Sequence, residues 1–248
     1  FPLYLSACKG GGAQFDSQNK QHIAAFDKLP KIAQTLLGCG FNVGAEEPVK
    51  AMIAERVGNA DDAAEVAAVD LTALERRLTA AGLELYPFQR DGVSWLMRRD
   101  TGLLADSMGL GKTIQAICAM PEGGRALIIC PASVKGVWQE EFAKWSPTYT
   151  TTVLQGRESF RWPDAGEVVI TNWDILPTSP ENAPEGVYVV ADEVHAAKNS
   201  KAKRTTRFRR VCRLARGQGG KVWMLTGTPL LNRPQELWTI LQSVGLGT

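Results

Sequence analysis

Leu103-Leu104-Ala105-Asp106-Ser107-Met108-Gly109-Leu110-Gly111-Lys112-Thr113-Ile114 decides the fold: an apolar run, a glycine-bearing loop, then the start of a helical pattern. A strand that enters a helix through such a loop makes a phosphate cradle. Gly109 and Gly111 let backbone N–H groups approach phosphate oxygens, and the following helix adds its positive N-terminus. Lys112 reaches the β and γ phosphates of a nucleotide, and Thr113 offers its hydroxyl to Mg²⁺. The general pattern for such cradles has glycine where Asp106 stands, so only the Gly-x-Gly-Lys-Thr end, Gly109 to Thr113 with Leu110 between the glycines, is met. A chance turn of the same composition is the plainer alternative.

Outward from the cradle, apolar runs alternate with amphipathic helical patterns, the signature of βαβ units around a parallel sheet. The expected strands are Gly102–Ala105, Ala126–Cys130, Thr152–Leu154, Val168–Thr171, Tyr188–Ala191 and Val222–Thr226, nearly all continuous apolar runs of the kind buried on both faces. About eighty residues past the cradle, Val187-Tyr188-Val189-Val190-Ala191 ends in Asp192-Glu193-Val194-His195. Two adjacent acids at a strand end usually mean a solvated turn. Behind Lys112-Thr113, in this order and at this separation, they fit a Mg²⁺ carboxylate, Asp192, and a carboxylate that polarises an attacking water, Glu193. A further strand, Val222-Trp223-Met224-Leu225, turns into Thr226-Gly227-Thr228-Pro229 ahead of a helical stretch at Gln235–Val244. We expect Thr226 and Thr228 to hydrogen-bond the Asp192–His195 turn and report nucleotide state; a capped strand-to-helix turn is the simpler reading.

The composition, 44% hydrophobic and 22% charged over 248 residues, is that of a soluble globular protein with one large α/β domain and a smaller unit. No apolar run approaches the roughly 18–20 residues that cross a bilayer, so no membrane partner is expected. The start, Phe1-Pro2-Leu3-Tyr4, has neither an initiator Met nor a basic signal-peptide head, which reads as a trimmed, non-secreted chain. Cys8, Cys39, Cys118, Cys130 and Cys212 show no Cys-x-x-Cys spacing and read as buried thiols in a reducing compartment. Charge is uneven: residues 1–85 hold 8 Lys/Arg against 11 Asp/Glu, residues 86–248 hold 20 against 15. Lys198 to Lys221 contains ten Lys/Arg and no acid, either a field that attracts phosphates or a solvated helix face. No oligomeric state follows from the residues.

Taken together, Tyr86-Pro87-Phe88-Gln89-Arg90-Asp91-Gly92-Val93-Ser94-Trp95-Leu96, Asp106–Thr113, Ile129-Cys130-Pro131-Ala132-Ser133, Ile170-Thr171-Asn172, Asp192–His195 and Leu225–Pro229 with Asn232 resemble the superfamily-two helicase motifs in their Swi/Snf form. The resemblance covers about residues 86–243. It implies the RecA-like P-loop lobe of an ATP-dependent DNA translocase, with ATP and Mg²⁺ as cofactors and double-stranded or forked DNA as partner. It further implies that Gln89 reads adenine, that Lys112, Asp192 and Glu193 are catalytic, that Thr113 and Asp192 hold Mg²⁺, and that His195 couples the acids to Thr226, Thr228 and the nucleic acid. Ser133, Lys135, Thr171, Asn199 and Lys201 become DNA-contact candidates, and the helix Lys203–Arg216, with Arg204, Arg207 and Arg210 on roughly one face, could add phosphate contacts. Ser107 and Val194 depart from the family pattern, and no role passes to either. The family's remaining motifs lie on a second RecA-like lobe, expected in cis and absent from this chain.

Residues 1–85 read as a small α+β or mostly helical domain preceding the lobe at 86–248. Short strands are expected before residue 26, helices at Asp27–Gly40, Glu46–Val57 and Asp61–Ala81, and a strand at Phe41-Asn42-Val43. Gln14-Phe15-Asp16, Leu29-Pro30 and Leu36–Val43 look similar to the module that precedes the motor in the fork-remodelling, annealing branch; a structural brace is the alternative. Another superfamily-two motor (a restriction-enzyme subunit or an RNA helicase) and an ATP-binding regulatory module are the competing functions. The compartment expected is the cytoplasm of a prokaryote or virus-infected cell, or the nucleus of a eukaryote.

Overall fold

The computed structural model describes residues 14–16, 21–23, 69–156, 159–227 and 234–245. Two compact units divide the chain; residues 1–68 fall to the first, residues 69–229 and 239–246 to the second. In the first, β1 (Gln14–Asp16) and β2 (Gln21–Ile23) pair antiparallel with Phe15 opposite His22. The helices expected at Asp27–Gly40 and Glu46–Val57 and the strand at Phe41–Val43 lie outside the described residues.

The second unit opens at Val69, earlier than the boundary expected at residue 85. Its first helix, α1 (Thr72–Ala80), follows non-helical residues 69–71, and Asp70 accepts the Thr72 N–H at 2.8 Å. The pattern expected from Asp61 to Ala81 is therefore not one continuous helix. Leu78 and Leu85 are buried in the same core as Val93 and Leu96 of α2 (Pro87–Met97). A helical period shows that a helix has an apolar face, not which core that face meets.

Then follow β3 (Thr101–Leu104), α3 (Lys112–Ala119), β4 (Arg125–Cys130), a 3₁₀ turn (Ala132–Val134), α4 (Lys135–Trp145), β5 (Thr150–Val153), β6 (Glu167–Asn172), β7 (Tyr188–Ala191), a 3₁₀ turn (Val194–Ala197), α5 (Lys203–Gly217), β8 (Lys221–Leu225) and α6 (Pro234–Ser243). Strands β3 to β8 form one parallel sheet in the order β3-β8-β7-β4-β6-β5. Each lies within two residues of its expected place. Right-handed crossovers sort the helices: the chain steps one way along the sheet from β3 to β4 to β5, and back from β7 to β8. Accordingly Ile128, Ile170, Val190, Trp223 and Leu225 share a core with the buried residues of α2, α3 and α4. Leu127, Ile129, Val169, Val189 and Met224, the alternate and equally buried positions, face the opposite side, the side of Phe208, Val211, Cys212 and Ala215 of α5. Burial on both faces explains the unbroken apolar runs. Cys118, Cys130 and Cys212 are free and buried, and burial pushes the thiols of Cys118 and Cys130 up to about 12, so these pack as small hydrophobes.

Candidate nucleotide site

Parallel strands release their following loops at one edge, so the segments after β3, β7 and β8, which are neighbours in the sheet, emerge side by side. In the loop after β3, Gly109 (φ +82°) and Gly111 (φ +73°) are left-handed, a conformation other residues adopt only under strain. A Cβ on Gly111 would also lie 2.4 Å from Gln89 Nε2, so two independent constraints call for glycine there. Gln89, 6% exposed, accepts the Tyr86 N–H at 3.1 Å and donates to the Leu110 carbonyl at 3.3 Å. It thereby fastens the N-terminus of α2 to the loop. Tyr86 and Phe88 stack beside it with centroids 5.7 Å apart, and both are exposed.

Lys112 Nζ lies across its own loop, donating to the carbonyls of Asp106 (2.8 Å) and Ser107 (3.0 Å). The acid that breaks the glycine pattern has a structural explanation in Gln115. This fully buried side chain, three residues after Lys112, donates to Asp106 Oδ2 at 3.1 Å and to the Leu110 carbonyl at 3.2 Å. Gly92 of α2 makes room for it, since a Cβ there would lie 1.7 Å from Gln115 Oε1. Sequence reading passed over Gln115; the available signal was a polar residue among the apolar Ile114, Ala116 and Ile117.

Asp192 leaves β7 with its N–H donated to the Ile129 carbonyl (2.8 Å). Its Oδ2 accepts the indole N–H of Trp138 on α4 at 3.0 Å, and its Oδ1 accepts the Glu193 N–H at 2.9 Å. Burial pushes the Asp192 carboxyl above its ordinary value, against the Trp138 hydrogen bond and the positive field of Lys112, which favour the anion. A half-buried carboxylate with two neutral donors and the cradle lysine in its field suits a divalent cation, which would offset the desolvation. Trp138 was also missed: a tryptophan at helical spacing reads as core, and its ring is indeed core.

Glu193 has φ 48° and ψ 50°, the one positive φ outside glycine among the described residues. That conformation costs about 1–3 kcal/mol and tends to be kept where function needs it. Its Oε2 approaches His195 Nδ1 to 3.0 Å outside hydrogen-bond alignment, an attraction that exists only when the imidazole is protonated. Thr226 is buried and its N–H donates to the Leu104 carbonyl at 3.2 Å, tying it to the strand before the cradle. A Cβ on Gly227 would stand 2.5 Å from Met108 Cγ, so the segment after β8 touches the cradle loop directly. Thr228 lies outside the described residues.

The DNA candidates divide. Ser133, Asn199 and Lys201 are exposed. Lys135 and Thr171 are not: Lys135 gives its ammonium to the Leu154 carbonyl at 2.7 Å, and Thr171 is fully buried in β6. Both side chains are held inside the lobe in this structure. A lysine after a turn reads as exposed, and nothing local shows that the end of β5 passes over it. Of the helix face expected at Arg204, Arg207 and Arg210, Arg210 is engaged by the Thr178 carbonyl and by Ser179 Oγ at 3.4 Å.

Glycine cradle, strand-end acids and the β8 turn on one edge of a parallel sheet define a RecA-like lobe of the P-loop nucleotide-binding class. Residues 88–248 match the SNF2-related domain, and the chain belongs to that family. It is 35% identical over 189 residues to the SWI/SNF-related matrix-associated actin-dependent regulator of chromatin subfamily A-like protein 1 of Xenopus tropicalis, covering 73% of this chain and 19% of that protein. To the DNA annealing helicase and endonuclease ZRANB3 of Bos taurus it is 32% identical over 174 residues, 65% of this chain and 16% of that one. The Sulfolobus solfataricus SWI2/SNF2 ATPase core in complex with dsDNA superposes with a TM-score of 0.54 at 29% identity, over 66% of this chain and 36% of that one. The chain thus spans about a fifth of the length of these curated relatives.

Proposed function

We propose that this chain is the ATP-binding lobe of an ATP-dependent double-stranded DNA translocase that remodels DNA structures or protein–DNA complexes, working with a second RecA-like lobe in the same protein. The observation that carries the reading is the meeting, at one sheet edge, of the Gln89-braced cradle with Asp192 in the field of Lys112. Gln89 and the Tyr86–Phe88 stack would take the adenine, the N–H groups of Gly109 to Thr113 and the Lys112 ammonium the phosphates. Thr113 and Asp192 would hold Mg²⁺, which when bound neutralises phosphate charge. Glu193 would orient and polarise the attacking water, and its strained backbone is consistent with that task. Met108 against Gly227 gives a short route from the phosphates to the segment after β8, alongside the expected coupling through His195, Thr226 and Thr228. Ser133, Asn199 and Lys201 remain as contacts to the DNA backbone, which position without reading sequence. The similarity to an annealing helicase favours fork or annealing substrates, with residues 1–85 as a module that recognises DNA structure or braces the lobe.

By itself this chain is expected to bind ATP and turn it over slowly, because the family's γ-phosphate arginines belong to the other lobe and contribute roughly 10³–10⁵ in rate. Titration with a fluorescent ATP analogue should show saturable binding that Lys112→Ala weakens by about 100-fold or more; equal binding by the variant would sink the reading. In the two-lobed protein, duplex or forked DNA should stimulate hydrolysis, with affinity falling steeply as salt rises. An RNA preference would favour the helicase alternative, and ATP binding without any turnover the regulatory one.

A further inference from the structure

The basic stretch after the acids has a use of its own. Arg209, Arg210, Arg213 and Arg216 stand on one side of α5 and, with Thr206 and Gly217 and with Gln242 to Gly245 of the segment ending α6, line a groove of about 570 Å³ that no acid among the described residues enters. None of the four guanidinium groups has a carboxylate partner among the described residues. Arg209 Nε donates to Ser243 Oγ (3.1 Å) and Arg216 to the Val244 carbonyl (2.6 Å), so these two fasten α6 with part of their donors. Arg213 is exposed and makes no hydrogen bond or ion pair with the described residues.

Like charges one turn apart on a helix repel; Arg209 and Arg216 fasten α6 and Arg210 is engaged by the Thr178 carbonyl and Ser179 Oγ, which leaves Arg213 without a structural task among the described residues. The groove also lies away from the nucleotide. The end of α5 meets the start of β7 and β8, where Gly186 N–H donates to the Gln218 carbonyl and Lys221 N–H to the Val187 carbonyl, each at 3.0 Å. The cradle and Asp192 sit at the opposite strand ends. We propose that this groove is a second anion site that takes a compact polyphosphorylated small molecule, with Arg213 as its principal ligand and Arg210 adding the donors it does not give to Thr178 and Ser179. All four cations are arginine, whose planar fork matches phosphate oxygens two at a time, and Thr206 and Gln242 add neutral donors. A concave, walled groove suits a compact anion better than a duplex, which needs an open ridge.

The test uses the chain carrying Lys112→Ala, so that the cradle does not compete, with inorganic tripolyphosphate as the probe. Calorimetry should show saturable binding that weakens as salt rises, and that Arg213→Gln or Arg210→Gln each weakens by about tenfold. Tripolyphosphate should raise the melting temperature of the Lys112→Ala chain by more than that of those double variants at the same concentration. Arg213→Gln breaks no internal contact, so its unliganded melting temperature should match the parent. The site is refuted if tripolyphosphate does not bind, if both arginine variants bind it equally well, or if duplex DNA or a polyglutamate peptide binds at these arginines more tightly. The site does not depend on whether the cradle hydrolyses ATP.

Discussion

Two carboxylates at opposite ends of β6 and β7, the strands that flank β4, show how the same group is given different work. Glu167 begins β6 and is held fork to fork by Arg161, with further hydrogen bonds from Thr152 Oγ1 (2.6 Å) and the Asp164 N–H (3.0 Å). The Arg161 hydrogen bonds hold its carboxyl well below the usual range, at about 2. Asp192 follows β7, accepts from an indole and a backbone N–H with no such fork among the described residues, and is pushed the other way by burial. A carboxylate whose cation is built into the protein is finished as a structural clasp. One left half-buried with neutral donors is still open to a cation.

The largest effects should separate the two. Asp192→Asn in the two-lobed protein should lower Mg²⁺-dependent ATP hydrolysis by at least about 100-fold, with a melting temperature equal to or above the parent, since a desolvated charge has been removed. Glu193→Gln should also lower turnover by about 100-fold or more while ATP still binds. Full activity in Asp192→Asn, or its unfolding, would erase the contrast.

Glu167→Gln should do the reverse: ATP binding and turnover unchanged, stability lower by about 1–2 kcal/mol, a figure kept small because Arg161 is 44% exposed. The pH dependence has a definite sign. The folded-state value near 2 lies below the unfolded value near 4.5, so the clasp stabilises fully above about pH 4.5 and is lost as pH falls toward 2. Denaturant midpoints for parent and Glu167→Gln should converge on acidification through that window, and a constant gap would show that the clasp acts by packing alone.

The strands and cradle were legible because they are local patterns: an apolar run marks a buried strand wherever it pairs, and Gly109-Leu110-Gly111-Lys112-Thr113 dictates its own backbone. The strand order was not legible, nor were the residues that brace the site. Gln115 and Trp138 act on partners 9 and 54 residues away, Asp106 and Asp192, through a fold that local periodicity does not encode. Burial of Lys135 and Thr171 was hidden for the same reason, since each depends on a strand or loop brought in from elsewhere. That Leu78 and Leu85 pack into the core of the lobe was not legible either, since their apolar character is visible but their destination is not.

The smallest effect tests whether Asp192 is held or merely present. Trp138 is 1% exposed, packs its ring 6.1 Å from Phe142, and spends its one polar atom on Asp192. Trp138→Phe keeps an aromatic ring in that core and removes only the donor. If the indole serves packing alone, stability falls slightly and nucleotide handling stays as it was. If it positions the carboxylate, Asp192 gains rotational freedom and loses a stabilising partner for its charged form. The Mg²⁺ concentration for half-maximal hydrolysis should then rise by about three- to tenfold, while metal-free nucleotide binding is unchanged. Trp138→Leu, which loses both ring and donor, should shift the Mg²⁺ requirement no further than Trp138→Phe although it lowers stability more. That split between metal requirement and stability would assign the tryptophan to the open carboxylate; a shift that tracked stability across the two variants would return it to the core.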